Sequence, residues 1–96
     1  IPADYDDGTI ESWRRLRDNL KEVLPSWEKA VDYNDLDQGK LSSLLAIIRL
    51  RITLSEEVIN TMEKREWLND DQQTRIKADT VDANELEQLS KELNKE

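Results

Sequence analysis

Asp4, Asp6 and Asp7 crowd around Tyr5 ahead of Gly8-Thr9-Ile10, an arrangement that invites comparison with a calcium loop, where clustered carboxylates precede a Gly-x-Ile turn. The register fails. With Gly8 in the glycine position, the first and third ligand positions fall on Ala3 and Tyr5, and the closing bidentate carboxylate falls on Arg14. Two further acid pairs, Glu56-Glu57 and Asp70-Asp71, would need additional ligands, and helix-built carboxylate centres recruit histidines for this. The chain has no histidine and no cysteine. Adjacent acids on a helix also diverge by about 100°, so neither pair converges on one ion, and no metal or other cofactor is expected.

The same two absences remove most nucleophilic and proton-transfer chemistry near neutral pH. No thiolate can form and no imidazole can move a proton. A serine, threonine or lysine nucleophile would need a carboxylate or lysine base in a pocket, and no spacing here assembles one. Gly8 and Gly39 stand alone, which leaves no glycine-rich phosphate loop. The expectation is a protein that binds and does not catalyse.

Trp13-Arg14-Arg15-Leu16-Arg17, followed by Lys21, is the basic-aromatic cluster of the sequence. On a helix, Arg14, Arg17 and Lys21 occupy neighbouring parts of one face and could contact phosphate. The chain's formal charge of −8, from 22 acids and 14 bases, works against that, because its field repels nucleic acid and anionic lipid and attracts basic surfaces. Pairing of Arg14, Arg15, Arg17 and Lys21 with acids is therefore the favoured reading, and nucleic acid is disfavoured as a partner.

The elements that would position these groups are helices. Gly and Pro number two each, too few for the turns of an all-β chain. Ile10, Trp13, Leu16, Leu20, Val23, Leu24, Trp27, Ala30 and Val31 fall in one arc of roughly 160° at about 100° per residue. They predict a first helix from Ile10 to about Asp32, capped by Thr9 and kinked or split at Pro25, whose missing N–H breaks one backbone bond. Residues 1–8 read as an irregular acidic lead-in. The stretch 32–39 is rich in residues that bond their own backbone and reads as a loop, with a helix start at Asp35 (Gln38 three residues on) or at Asp37.

Ile48-Arg49-Leu50-Arg51-Ile52-Thr53-Leu54 alternates as a half-buried strand would. Extended in both directions, Leu41, Leu44, Leu45, Ile47, Ile48, Ile52, Val58, Ile59 and Met62 share one helical arc of roughly 160°, with Leu50, Arg51 and Leu54 as misfits. No second segment has strand character to pair with it. A long second helix from about Leu36 to Trp67 is expected, with a possible division near Leu54 at a start signal formed by Thr53 and Glu56. Residues 69–96 look weaker. Asn69-Asp70-Asp71 marks a stop and restart, only Ile76 and Ala78 are apolar in the next stretch, and Asp82 with Glu85 and the Val81/Leu86 pair specify a short last helix from Ala83 to about Leu93. Its narrow Leu86, Leu89, Leu93 stripe suits a coiled-coil seam or a partner's groove.

The chain is thus read as one all-α domain, a helical hairpin or three-helix bundle, with a helical core over 9–68 and a peripheral or partner-dependent tail over 69–96. Two stripes this wide exceed what one antiparallel pair covers. A homo-oligomer, most simply a dimer, is expected to bury the rest through Leu44, Leu45, Ile48, Arg51, Ile52, Ile59 and Met62. The function expected is a non-catalytic protein–protein interaction module, oligomerising or scaffolding within a larger assembly. The alternative is an acidic inhibitor or immunity-type protein that covers a basic surface with Asp35, Asp37, Glu56, Glu57, Asp70 and Asp71. Leu41 to Leu54 carries Arg49 and Arg51 and is shorter than the ~20 residues that cross a bilayer, so no membrane partner and a cytoplasmic location are expected. Ile1-Pro2 is no translation start, so either a leader was removed or the chain was excised from something longer, and excision is the favoured reading.

Overall fold

Ala3 is buried, its amide donating 2.8 Å to the carbonyl of Arg65, 62 residues further along, and from this anchor a first helix departs. The computed structural model describes residues 2–95, of which none forms a strand. Helix α1 spans Asp7–Lys29 and closes in a 3-10 turn, Ala30–Asp32; α2 spans Gln38–Glu63 and α3 spans Asp70–Asn94. The result is an all-α three-helix bundle measuring 54 × 22 × 16 Å. α2 is its central member, since α1 and α3 both pack on it while no Cα of α1 lies within 8 Å of a Cα of α3.

Each helix end has a local cause. Asp6, not Thr9, caps α1, accepting from the Gly8 amide at 2.7 Å, so the helix begins inside the stretch expected to be irregular. A Cβ at residue 8 would sit 3.1 Å from the Asp6 Oδ1, and glycine leaves room for that cap. α1 runs unbroken through Pro25. The proline is exposed, where water can serve the Lys21 carbonyl that lacks its donor. Asp37 caps α2 through the Lys40 amide at 3.0 Å. α2 stops at Glu63, four residues short of the expected Trp67. Arg65 takes a left-handed φ of 58°, its amide bonds to the Met62 carbonyl and the Glu66 amide to the Thr61 carbonyl, which together form a Schellman stop. There is no division near Leu54.

α3 corrects the reading of the tail. It is one 25-residue helix with a reciprocal capping box, Asn69 Oδ1 accepting from the Gln72 amide at 2.7 Å and Gln72 Oε1 from the Asn69 amide at 3.0 Å; no break occurs at Asp82. Gln72, Ile76, Asp79, Ala83, Leu86, Ser90 and Leu93 are buried or half-buried at alternating spacings of four and three, the heptad pattern of a helix laid along another. Leu86, Leu89 and Leu93 join Leu41, Leu44, Leu45, Ile48 and Ile52 in one core cluster, with Leu20 and Ala30 from the α1 side. A second cluster at the other end unites Ile10, Leu54, Val58 and Met62 with Trp13, Leu68 and Ile76.

Candidate interaction surface

The stripe expected to meet an outside partner is the interior of the chain. Leu44 and Ile48 are 0 % exposed, Ile59 3 %, Met62 4 %, Leu45 7 % and Ile52 8 %. α1 and α3 flank α2 on two sides, so one chain supplies the cover that a single hairpin would lack. Leu54, a misfit to the stripe, is an inward residue of the second cluster. Arg51, expected in the self-association set, is engaged within the chain. Its Nε and Nη2 donate to the two Asp79 carboxylate oxygens at 2.8 and 3.2 Å, with side-chain exposures of 11 % and 13 %.

Bases expected to pair with acids do so. Arg14 meets Glu63 at 3.2 Å and Glu11 at 3.7 Å, Arg15 meets Glu11 at 3.8 Å, Arg17 meets Asp18 at 2.9 Å and Lys21 meets Glu56 at 3.4 Å. The hydrogen bond that Arg17 donates to Asp18 raises the guanidinium further above its ordinary value, which holds it as a cation. These are surface pairs and add little stability each, but together they cancel the field of the basic face. The shallow depression of about 650 Å³ beside this face sets Arg14, Arg15 and Arg65 against Asp7, Glu11 and Glu63.

The six acids proposed as one contact do not share a surface. Glu56 faces α1 through Lys21 and Glu57 faces α3 through Arg75, which also binds Asp71 at 3.0 Å. The hydrogen bond that Arg75 donates to Glu57 raises the guanidinium above its ordinary value. Asp70 and Asp71 open α3, whereas Asp35 and Asp37 lie at the opposite end of α2, about 39 Å away along a 26-residue helix.

Charge is distributed unevenly over the elements. α1 holds five acids and five bases and α2 three of each, so both are neutral. The excess lies in α3, with seven acids to three bases, in the lead-in, and in the α1–α2 connection 30–37, which carries Asp32, Asp35 and Asp37 and no base. That connection also exposes Tyr33 and Val31, at 59 % and 49 %. It is nevertheless tightly held. The Tyr33 amide donates to Ala30 at 3.0 Å, the Leu36 amide to Tyr33 at 3.3 Å, and Gln38 Nε2 to the Tyr33 and Leu36 carbonyls at 3.0 and 3.4 Å. Buried Ala30 and half-buried Leu36 pin both ends of the tip to the first core cluster.

No family model matches the chain, and no curated protein or solved structure matches it. Among the described residues no helix is long and apolar enough to cross a membrane, and no three acids gather where they could hold a metal. The tip is therefore the best-defined candidate surface, an ordered loop carrying an aromatic anchor beside Asp32 and Asp35, neither of which has a base within 4 Å among the described residues. Periodicity places Val31 on the buried arc of the first helix, whereas it is 49 % exposed; sequence reasoning assigns Asp35 and Asp37 to an acidic contact, and Tyr33 to the loop alone.

Proposed function

We propose that this protein is a non-catalytic protein–protein interaction module that presents the Val31–Asp37 tip to a basic surface of a partner protein. The observation that carries this reading is the segregation of charge. Arg14, Arg15, Arg17 and Lys21 are spent on acids of the chain itself, whereas the tip sets Asp32 and Asp35, which pair with no base among the described residues, beside an exposed tyrosine. Tyrosine gives contact area at low entropic cost, and rim carboxylates steer a basic partner and fix its register. The tip's bonds to Gln38 reduce the ordering cost on association. This favours the masking of a basic surface over self-association through the α2 stripe, which would require α3 to leave it.

The test is capture of partner proteins on the immobilised chain, compared with Tyr33→Ala and with Asp32→Lys/Asp35→Lys. Retention by the native chain should collapse between ~0.1 and ~1 M salt, over which the screening length falls from about 10 to about 3 Å. Each variant should lose the same partner. A partner held equally by all three proteins, or indifferent to salt, would refute the reading.

A further inference from the structure

Leu50 is 51 % exposed on α2 and, with Leu54 and Ala78, forms the apolar floor of a groove between α2 and α3. The cavity is about 60 Å³, far below the ~300 Å³ at which small-molecule sites begin and suited to one aliphatic side chain. Its charges are unequal in state. Arg51 and Asp79 satisfy each other across the groove, and Arg75 at one end is held by Glu57 and Asp71. Asp82 at the other end has no base within 4 Å among the described residues, and Glu85 follows on the next turn without one. An apolar seat bordered by an uncancelled carboxylate selects an apolar side chain with a cation beside it.

We propose that this groove docks a single aliphatic side chain from a basic peptide segment, with Leu50 and Ala78 gripping the side chain and Asp82 facing the neighbouring Lys or Arg. The inference rests on the reading of the protein as a binder of basic partners and names the segment that it engages away from the tip. The floor supplies contact and Asp82 supplies selectivity, because a cation there regains a partner while an acid would face repulsion.

The experiment titrates the full-length, isotope-labelled chain with the blocked tripeptide Arg-Leu-Arg and follows the Leu50 and Leu54 methyls and the Ala78 amide by NMR. Saturable shifts at these three groups are expected, about tenfold weaker for Arg-Ala-Arg, which loses most of the buried aliphatic surface, and absent for Asp-Leu-Asp. Asp82→Asn should weaken binding several-fold, and Leu50→Lys should abolish it; near-native amide spectra of both variants would show that the fold is kept. Equal shifts with Arg-Ala-Arg, shifts confined to the tip, or binding unaffected by Leu50→Lys would overturn the proposal. Tyr33→Ala should leave tripeptide binding unchanged, so failure of the groove and failure of the tip register separately.

Discussion

Replacing Asp79 by alanine is expected to be the most damaging single change on the α2–α3 contact. Arg51 reaches Asp79 with two charge-assisted bonds of 2.8 and 3.2 Å, and the two side chains keep only 11 % and 13 % of their exposure. Without the carboxylate, the guanidinium stays in the seam with no counter-charge, a situation that costs roughly 3–5 kcal/mol where a pair is buried. The residual exposure places this pair near the lower figure. A chain of 96 residues has a total stability of about 5–14 kcal/mol at the usual per-residue value. At roughly 4–8 °C per kcal/mol for a domain of this size, ~3 kcal/mol lowers Tm by about 12–24 °C. Arg51→Met with Asp79→Leu removes both charges together and should restore native stability or exceed it. Urea and thermal melts of the two single variants and the double, combined as a double-mutant cycle, measure the coupling directly. A loss below ~1 kcal/mol for Asp79→Ala, the value of a solvated surface pair, would refute the claim that α3 closes over Arg51.

Gln72→Ala removes one half of the α3 capping box and the 2.9 Å bond to Thr61 Oγ1; a loss of about 1–3 kcal/mol is expected, with faster hydrogen exchange in the first turn of α3. Ile48→Asp puts a carboxylate at a fully buried site and should unfold the chain outright; a folded but monomeric product would instead indicate an interface. Glu92 titrates below its ordinary value of 4.5 because Gln88 donates to it and Lys40 lies beside it. A depressed carboxylate contributes stability above its unfolded-state pKa and loses it as pH falls through the lower folded value, so Glu92→Gln should flatten stability against pH below about 4.5 and leave the slope at neutral pH unchanged. An identical acid limb in both proteins would contradict this.

The two long helices were readable because their apolar residues kept a single phase from Ile10 to Val31 and from Leu41 to Met62, which outweighed the strand-like alternation at Ile48 to Leu54. The local misfits were equally informative. Leu54 and Arg51 lie off the stripe that α1 covers because they face α3, so these two positions marked the side of α2 that the third helix of the expected bundle covers. The first half of α3 was only weakly marked because its seam is polar where it begins: Gln72 and Asp79 occupy inward heptad positions and are satisfied by Thr61 and Arg51, so apolar periodicity revealed only the Leu86, Leu89 and Leu93 end. The stop after Glu63 was concealed for a different reason. A left-handed position usually advertises itself with glycine, and here Arg65 takes it, held by a 3.0 Å bond from Nη1 to the Tyr5 carbonyl. The tip was legible as a loop but not as a surface, since Tyr33 and Val31 could have folded inward until Ala30 and Leu36 were seen to fill that place.

α3 folds back over α2 of its own chain and closes the apolar stripe. Lys40 Nζ lies 3.5 Å from Glu92 Oε2 across this contact, close enough for a carbodiimide to join them as an amide. Treating an equal mixture of ¹⁵N-labelled and unlabelled protein, digesting it and weighing the Lys40–Glu92 peptide tests the closure directly. The cross-linked peptide should be wholly labelled or wholly unlabelled. A substantial half-labelled population would place α3 on a neighbouring chain and return the Leu44 to Met62 stripe to the role of an interface.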